Sequence, residues 1–199
     1  MTNPRALRIM ALLAALLFVA GIAIMIGSWI LGALMPSAHQ ASLLTGEGIR
    51  WMFRHMAKGL LSPLLAWIVI AGISWGLAKR SGLGQPALKS HRGRMALVAS
   101  SGFLLLYIII IIMLTVPSHA VLLSSTGSLF PSAFSEAIIP LVCLGIALFS
   151  VVFGIASGEY SGIESLFDAA VGGLRWAAPV IVVYIFAIQC WNMLIYVLN

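Results

Sequence analysis

Five stretches of this chain are so long and so apolar that lipid is their natural solvent: Ile9 to Leu34, Leu60–Ala78, Met95–Val116, Ala137–Ser157 and Trp176–Leu198. About 20 apolar residues wound as a helix cover the roughly 30 Å of hydrocarbon in a bilayer. Lipid offers no partner to a backbone N–H or C=O, so each crossing segment has to pair its own, which an isolated segment does only as a helix. Even Ile108–Ile112, which would read as a strand in water, is expected to be helical because it lies inside such a run. The chain is therefore expected to be all-α, a polytopic transmembrane helix bundle of five spans, with residues 1–199 forming a single transmembrane domain.

Composition agrees. The chain is 62% apolar and 8% charged, with a mean hydropathy of +1.12, whereas soluble domains carry about 25% charge. The net charge of +6 comes from 11 Lys and Arg against 5 acids. No basic helix or aromatic-interleaved basic patch exists to hold nucleic acid, so that partner is excluded. Instead, the bases sit in short segments between the apolar runs, where they set topology. Arg5, Arg8, Lys79, Arg80, Lys89, Arg92, Arg94 and Arg175 fall on one side, leaving Arg50, Arg54 and Lys58 on the other. The positive-inside rule then puts the N-terminus in and the C-terminus out. The first run is longer than the apolar core of a signal peptide, about 7–15 residues, and is expected to stay as the first span. Cys143 and Cys190 lie inside apolar runs, as small buried hydrophobes rather than a disulfide.

Between the first two spans, Glu47, Arg50, Arg54 and Lys58 recur at helical spacing, with Ile49, Trp51, Met52, Phe53 and Met56 between them. This pattern predicts a short amphipathic helix in the membrane interface after span one. A faint repeat links spans one and two with three and four. Pro36–His39 echoes Pro117–His119, and Trp75-Gly76 with Ser81-Gly82 echoes Phe153-Gly154 with Ser161-Gly162. Within it, Gly72-x-x-x-Gly76 and Gly154-x-x-x-Gly158 predict close helix contacts, because small residues one turn apart let backbones approach. Pro63, Pro140 and Pro179 are placed early in spans two, four and five, where a missing donor is tolerated; Pro140 is also compatible with a deeper position and a kink.

The five runs hold no Asp, Glu, Lys, Arg or His, the residues that usually mark an ion or substrate path. Gln189 and Asn192, one turn apart in the fifth run, are the candidate substrate-binding residues. The same pair serves equally as interhelical hydrogen-bonding glue, the favoured reading. His39, His55, His91 and His119 lack metal-site spacing, Gly46-Glu47-Gly48 is too short for a phosphate loop, and Glu159, Glu164 and Asp168 read as a solvated acidic loop. No catalytic constellation, cofactor site or metal site is expected, and the chain is not read as an enzyme.

The stretch Leu43-Leu44-Thr45-Gly46-Glu47-Gly48-Ile49-Arg50-Trp51 resembles a signature of the AbgT-type p-aminobenzoyl-glutamate transporters. Ser62-Pro63-Leu64, Gly76-Leu77-Ala78 with Ser81-Gly82-Leu83, Gly127-Ser128-Leu129 through Ile138-Ile139-Pro140-Leu141, Gly154-Ile155-Ala156-Ser157-Gly158 and Phe186-Ala187-Ile188-Gln189-Cys190 are similar more loosely. The resemblance implies a bacterial inner (cytoplasmic) membrane protein, multi-pass and homodimeric. It also implies a scaffold set of five spans joined directly through Ser90–Met95, where the family carries further spans and a re-entrant hairpin. The family's charged substrate contacts lie in those further parts, so none is carried over to this chain. The resulting expectation is a shortened, AbgT-like dimeric scaffold acting in p-aminobenzoyl-glutamate or related amphipathic-anion transport. That reading requires either a separate membrane partner chain or several copies that together build the pathway; the alternative is a non-transporting membrane scaffold or assembly protein.

Overall fold

Each apolar run winds into a helix, and among the described residues almost everything around the runs does too. The computed structural model describes residues 4–34, 42–83, 90–115 and 133–198, without the side chains of 133–136. The helices are α1 (Pro4–Leu34), α2 (Gly46–Leu60), α3 (Pro63–Arg80), α4 (His91–Thr115), α5 (Ala133–Ser157) and α6 (Ile163–Leu198). Five stretches are long and apolar enough to cross a membrane, α2 and α3 counting together as one from Gly46 to Arg80. The architecture is all-α, with no strand among the described residues. Between α2 and α3 the chain breaks at Leu61 and Ser62, and Pro63 opens α3 where its missing N–H costs nothing. Alone, the 18 residues of α3 extend about 27 Å at about 1.5 Å per residue, close to the hydrocarbon thickness.

What lies inside and outside is inverted relative to a soluble protein. Leu12, Leu16, Val98, Leu105 and Met113 are exposed, while the buried polar residues are Ser28, Ser74, Ser81, Ser100 and Ser150. Water would punish that arrangement; lipid tails are as apolar as leucine, so helix contacts select small residues instead. Each buried serine turns its hydroxyl back onto its own helix or helix end. Ser28 donates to Met25 O at 2.8 Å, Ser74 to Ile70 O at 2.9 Å, Ser81 to Ala78 O at 2.8 Å and Ser150 to Ile146 O at 2.7 Å; Ser100 bonds Ala96 O.

The chain divides into two compact units, Met1–Ile68 with Ala177–Asn199, and Val69–Trp176. In the first unit, α1 and α6 meet through small and aromatic side chains. A Cβ on Gly21 would lie 3.5 Å from Cys190 Sγ, that thiol donates to Leu17 O at 3.0 Å, and the Phe18 and Phe186 rings meet edge-on at 5.8 Å.

In the second unit, the single Ser74 hydroxyl proton is shared between Ile70 O and Cys143 O, the latter at 2.8 Å, tying α3 to α5, and Tyr107 OH donates to Leu141 O at 2.8 Å, tying α4 to α5. Gly72 and Gly76 pack, as expected, at a close backbone crossing, but against Gly173 of α6: a Cβ on Gly173 would lie 2.1 Å from Gly72 O, and one on Gly76 2.4 Å from Ala169 O. The second glycine pair behaves differently. Gly154 makes room for the Tyr160 ring, 2.3 Å from where its Cβ would be, and Gly158 closes α5 with φ +89. The repeat sets Gly162 opposite Gly82, whereas the left-handed glycines that follow α3 and α5 are Gly82 and Gly158. The echoes at Pro36–His39 and Pro117–His119 lie outside the described residues.

One boundary differs sharply from expectation. The sequence places the start of the fifth span at Trp176 and an acidic loop before it; α6 begins at Ile163 and runs 36 residues without a break. Glu164, Asp168 and Arg175 interrupt the hydropathy but not the helix, because Leu166, Ala169, Ala170 and Gly173 recur on the packed side. Pro179 is consequently an interior residue of α6, and Pro140 stands more than a turn inside α5. Neither occupies a first turn.

Contacts gather the end of α3, the start of α4, the end of α5 and the start of α6 at one end of the second unit. Arg80 pairs with Asp168, Arg92 Nε donates to Ala156 O at 3.2 Å beside the α5 C-terminus, and Tyr160 OH donates to Leu77 O at 2.7 Å. A guanidinium there complements the negative end of the helix dipole. The Arg80–Asp168 pair is half-exposed on both sides, 51% and 57%. Asp168→Asn is therefore expected to cost less than about 1 kcal/mol, read as a shift of the unfolding midpoint in detergent; a larger loss would mean the pair is shielded from water.

Candidate functional site

The first unit contains the residues singled out for binding, and a corner built from the stretch Leu43 to Trp51. Ser28 of α1 accepts the Leu43 N–H at 3.1 Å, and Leu43 is 1% exposed. Thr45 then caps α2: its hydroxyl accepts from Gly48 N–H at 3.2 Å and donates to Ser42 O at 2.8 Å, satisfying a donor that the first turn leaves unpaired. A side chain at position 48 has no room, since its Cβ would lie 2.4 Å from Ser42 O and 2.7 Å from Leu43 Cα. Gly46-Glu47-Gly48 is thus a capped helix start folded onto its own approach segment.

From that corner α2 runs along the last turns of α6. Trp51 lies 4.4 Å from Tyr196 and 3.9 Å from His55, ring centre to ring centre, and the His55 Nδ1 sits 3.0 Å from Trp51 O. Further along, a Cβ on Gly59 would come within 3.2 Å of Asn192 Nδ2 and Ile188 Cγ1. Asn192 donates to His55 O at 3.4 Å, so one of the two candidate binding residues is engaged in joining α2 to α6. The other, Gln189, has its Oε1 buried with no hydrogen-bond partner. The structure places both on α6.

α2 itself has two unlike faces. Glu47, Arg50, Arg54 and Lys58 form one exposed row, and Ile49, Phe53 and Met56 form another, 42%, 59% and 40% exposed. A shallow cavity of about 410 Å³ opens beside the charged row, bounded by Glu47, Arg50, Trp51, Arg54 and Tyr196. A second cleft, about 510 Å³, lies in the other unit between α4 and α5 and is lined by Leu104, Tyr107, Ile111, Leu141, Gly145 and Phe149 among others. It is apolar throughout, as expected of a surface facing lipid tails. Glu159, Glu164 and Asp168 are exposed. Among the described residues no three His, Cys, Asp or Glu converge on a point that could hold a metal; His39 and His119 lie outside them.

Sequence reasoning missed Tyr160 and the Gly172-Gly173 pair. Both stand in the segment taken for a polar loop, although two adjacent glycines with alanines a turn earlier are a helix-contact signal wherever the helix is known to extend.

Inverted burial, small-residue crossings and five apolar helices define a multi-pass α-helical membrane protein. No family model matches the chain, and neither a curated protein nor a solved structure is similar enough to it to count as a match.

Proposed function

We propose that this chain is a shortened, AbgT-like membrane transport protein. In this reading its five crossings are a dimeric scaffold in the inner membrane of a bacterium, N-terminus in and C-terminus out. The transported molecule is p-aminobenzoyl-glutamate or a related amphipathic anion, held by a partner chain or by a pathway built from several copies. One observation carries the scaffold part: within the most family-like stretch, Leu43 to Trp51, Leu43, Thr45 and Gly48 form a buried turn, a helix cap and a glycine contact. Such residues brace helices rather than grip substrate. Placement of Asn192 on His55 O supports the same reading, and among the described residues no Asp, Glu, Lys, Arg or His is buried to meet a glutamate-tailed anion.

Purification in mild detergent from the native membrane, followed by mass measurement of the intact complex, tests this. A homodimer, or a dimer with a stoichiometric partner, is expected; a lone 21.2 kDa chain would contradict it. In proteoliposomes the isolated chain should give no uptake of p-aminobenzoyl-glutamate above protein-free vesicles if a partner holds the substrate, and uptake by the chain alone would remove the partner. Stoichiometric capture of another membrane protein with no binding of the anion favours the second reading, a non-transporting assembly scaffold.

A further inference from the structure

The cavity on α2 has a chemistry that the scaffold does not use. We propose that it seats the headgroup of a membrane phospholipid, with the phosphate between Arg50 and Arg54 and the headgroup's terminal hydrogen-bond donor at Glu47. This rests on the chain being a membrane protein and not on what it transports.

Four observations converge. Among the described residues neither arginine is ion-paired: the salt bridge there joins Arg80 to Asp168, and Arg50 uses only its Nε, on Gly46 O at 3.1 Å. Two guanidinium groups one turn apart present a fork of donors matched to phosphate oxygens. The neighbouring row of exposed Ile49, Phe53 and Met56 has no use in water and seats the helix at the boundary between headgroups and acyl chains. That depth places the arginines level with lipid phosphates. Trp51 and Tyr196, their ring centres 4.4 Å apart and their planes tilted by 36°, form a wall of the amphipathic kind favoured at that depth. Finally, the charge count puts Arg50, Arg54 and Lys58 on the side of the membrane where bases have no topological role. Their concentration on one helix face calls for a local anion.

Glu47 makes the site selective. A carboxylate beside two arginines would repel a bare anion but favours a ligand that carries both a phosphate and a donor, such as an ethanolamine or glycerol headgroup. A choline headgroup offers no N–H or O–H. The cavity of about 410 Å³ has the size of a small-ligand site.

Native mass spectrometry of the full chain in mild detergent tests the proposal. The protein is offered equimolar phosphatidylethanolamine, phosphatidylglycerol and phosphatidylcholine with identical acyl chains. The first two should be retained at least about fivefold over the third. R50Q/R54Q should bring all three to the same level. E47Q should lower retention of the ethanolamine lipid and raise that of the glycerol lipid. The double variant K79Q/R94Q removes the same charge elsewhere and should change nothing, and circular dichroism of each variant confirms that the helices persist. Equal retention of the three lipids would overturn the proposal. So would a loss in K79Q/R94Q matching that in R50Q/R54Q, or displacement of the lipid by inorganic phosphate at equal concentration, which would make this a free-anion site.

Discussion

Replacing Gly173 by alanine is expected to destabilise the protein by about 3 kcal/mol, and the same change at Gly76 by a similar amount. The reason is geometric. A Cβ on Gly173 would stand 2.1 Å from Gly72 O and 2.8 Å from Gly76 Cα, and one on Gly76 2.6 Å from Gly173 N and Cα. These are backbone atoms, which cannot rotate away as a side chain does, so α3 and α6 have to separate. In lipid no hydrophobic drive holds them together at longer range, and the close approach is itself the source of the contact energy. The two changes relieve or break one shared contact, so their sum should exceed the effect of the double variant. Gly172→Ala is the control, because its Cβ would meet nothing within 4 Å; there alanine should stabilise the helix by about 0.5–1 kcal/mol. Equilibrium unfolding in mixed micelles measures all four. G173A as stable as the parent would mean that α3 and α6 do not cross here.

Tyr160→Ala should cost about 3–5 kcal/mol, while Tyr160→Phe should cost about 1–2 kcal/mol. Tyr160 is 6% exposed and packs with Leu77 and Ala169 in the small core of the second unit. Its ring fills the space that Gly154 leaves open, and its hydroxyl donates to Leu77 O at 2.7 Å near the end of α3. Phenylalanine keeps the ring and loses the bond; alanine loses both and leaves a void. Tyr160 also carries a pH signature. Burial pushes its phenol above the ordinary 10.0, with Arg80 pulling it partly back. The folded state therefore holds this proton more tightly than the unfolded chain. That contribution is complete below pH 10.0 and is lost as pH rises through the folded value. Y160F should flatten this alkaline decline while leaving stability at neutral pH lower than the parent's. An alkaline limb unchanged in Y160F would assign the decline to other groups.

The sequence carries the spans because lipid imposes a length and a composition that few other constraints mimic. It carries α2 for a related reason: Glu47, Arg50, Arg54 and Lys58 alternate with Ile49, Phe53 and Met56 at helical period, and only an interface rewards that pattern. What it does not carry is which helix meets which. Gly72-x-x-x-Gly76 announces a close contact but not its partner, and the partner, Gly173, sits in a segment whose charges hide the helix. Gly154 looks equivalent by spacing and serves an aromatic ring from the following loop instead. The position of α6 eluded hydropathy because Glu164, Asp168 and Arg175 lie on the exposed side of a helix that is apolar only where it packs. Candidate binding residues fared likewise. Gln189 and Asn192 share a face as their spacing requires, yet Asn192 is engaged with the His55 carbonyl, a contact that depends on how α2 lies along α6.

Five helical stretches of the described residues are long and apolar enough to cross a bilayer, and the orientation proposed above puts the N-terminus in the cytoplasm and the C-terminus outside. Single cysteines placed at Thr2 and Asn199, in a chain with Cys143 and Cys190 replaced by alanine, measure this in intact cells with a thiol reagent that does not permeate the membrane. Labelling at position 199 from outside, and at position 2 only after the membrane is opened, is the predicted result. Labelling of both ends from the same side would contradict it.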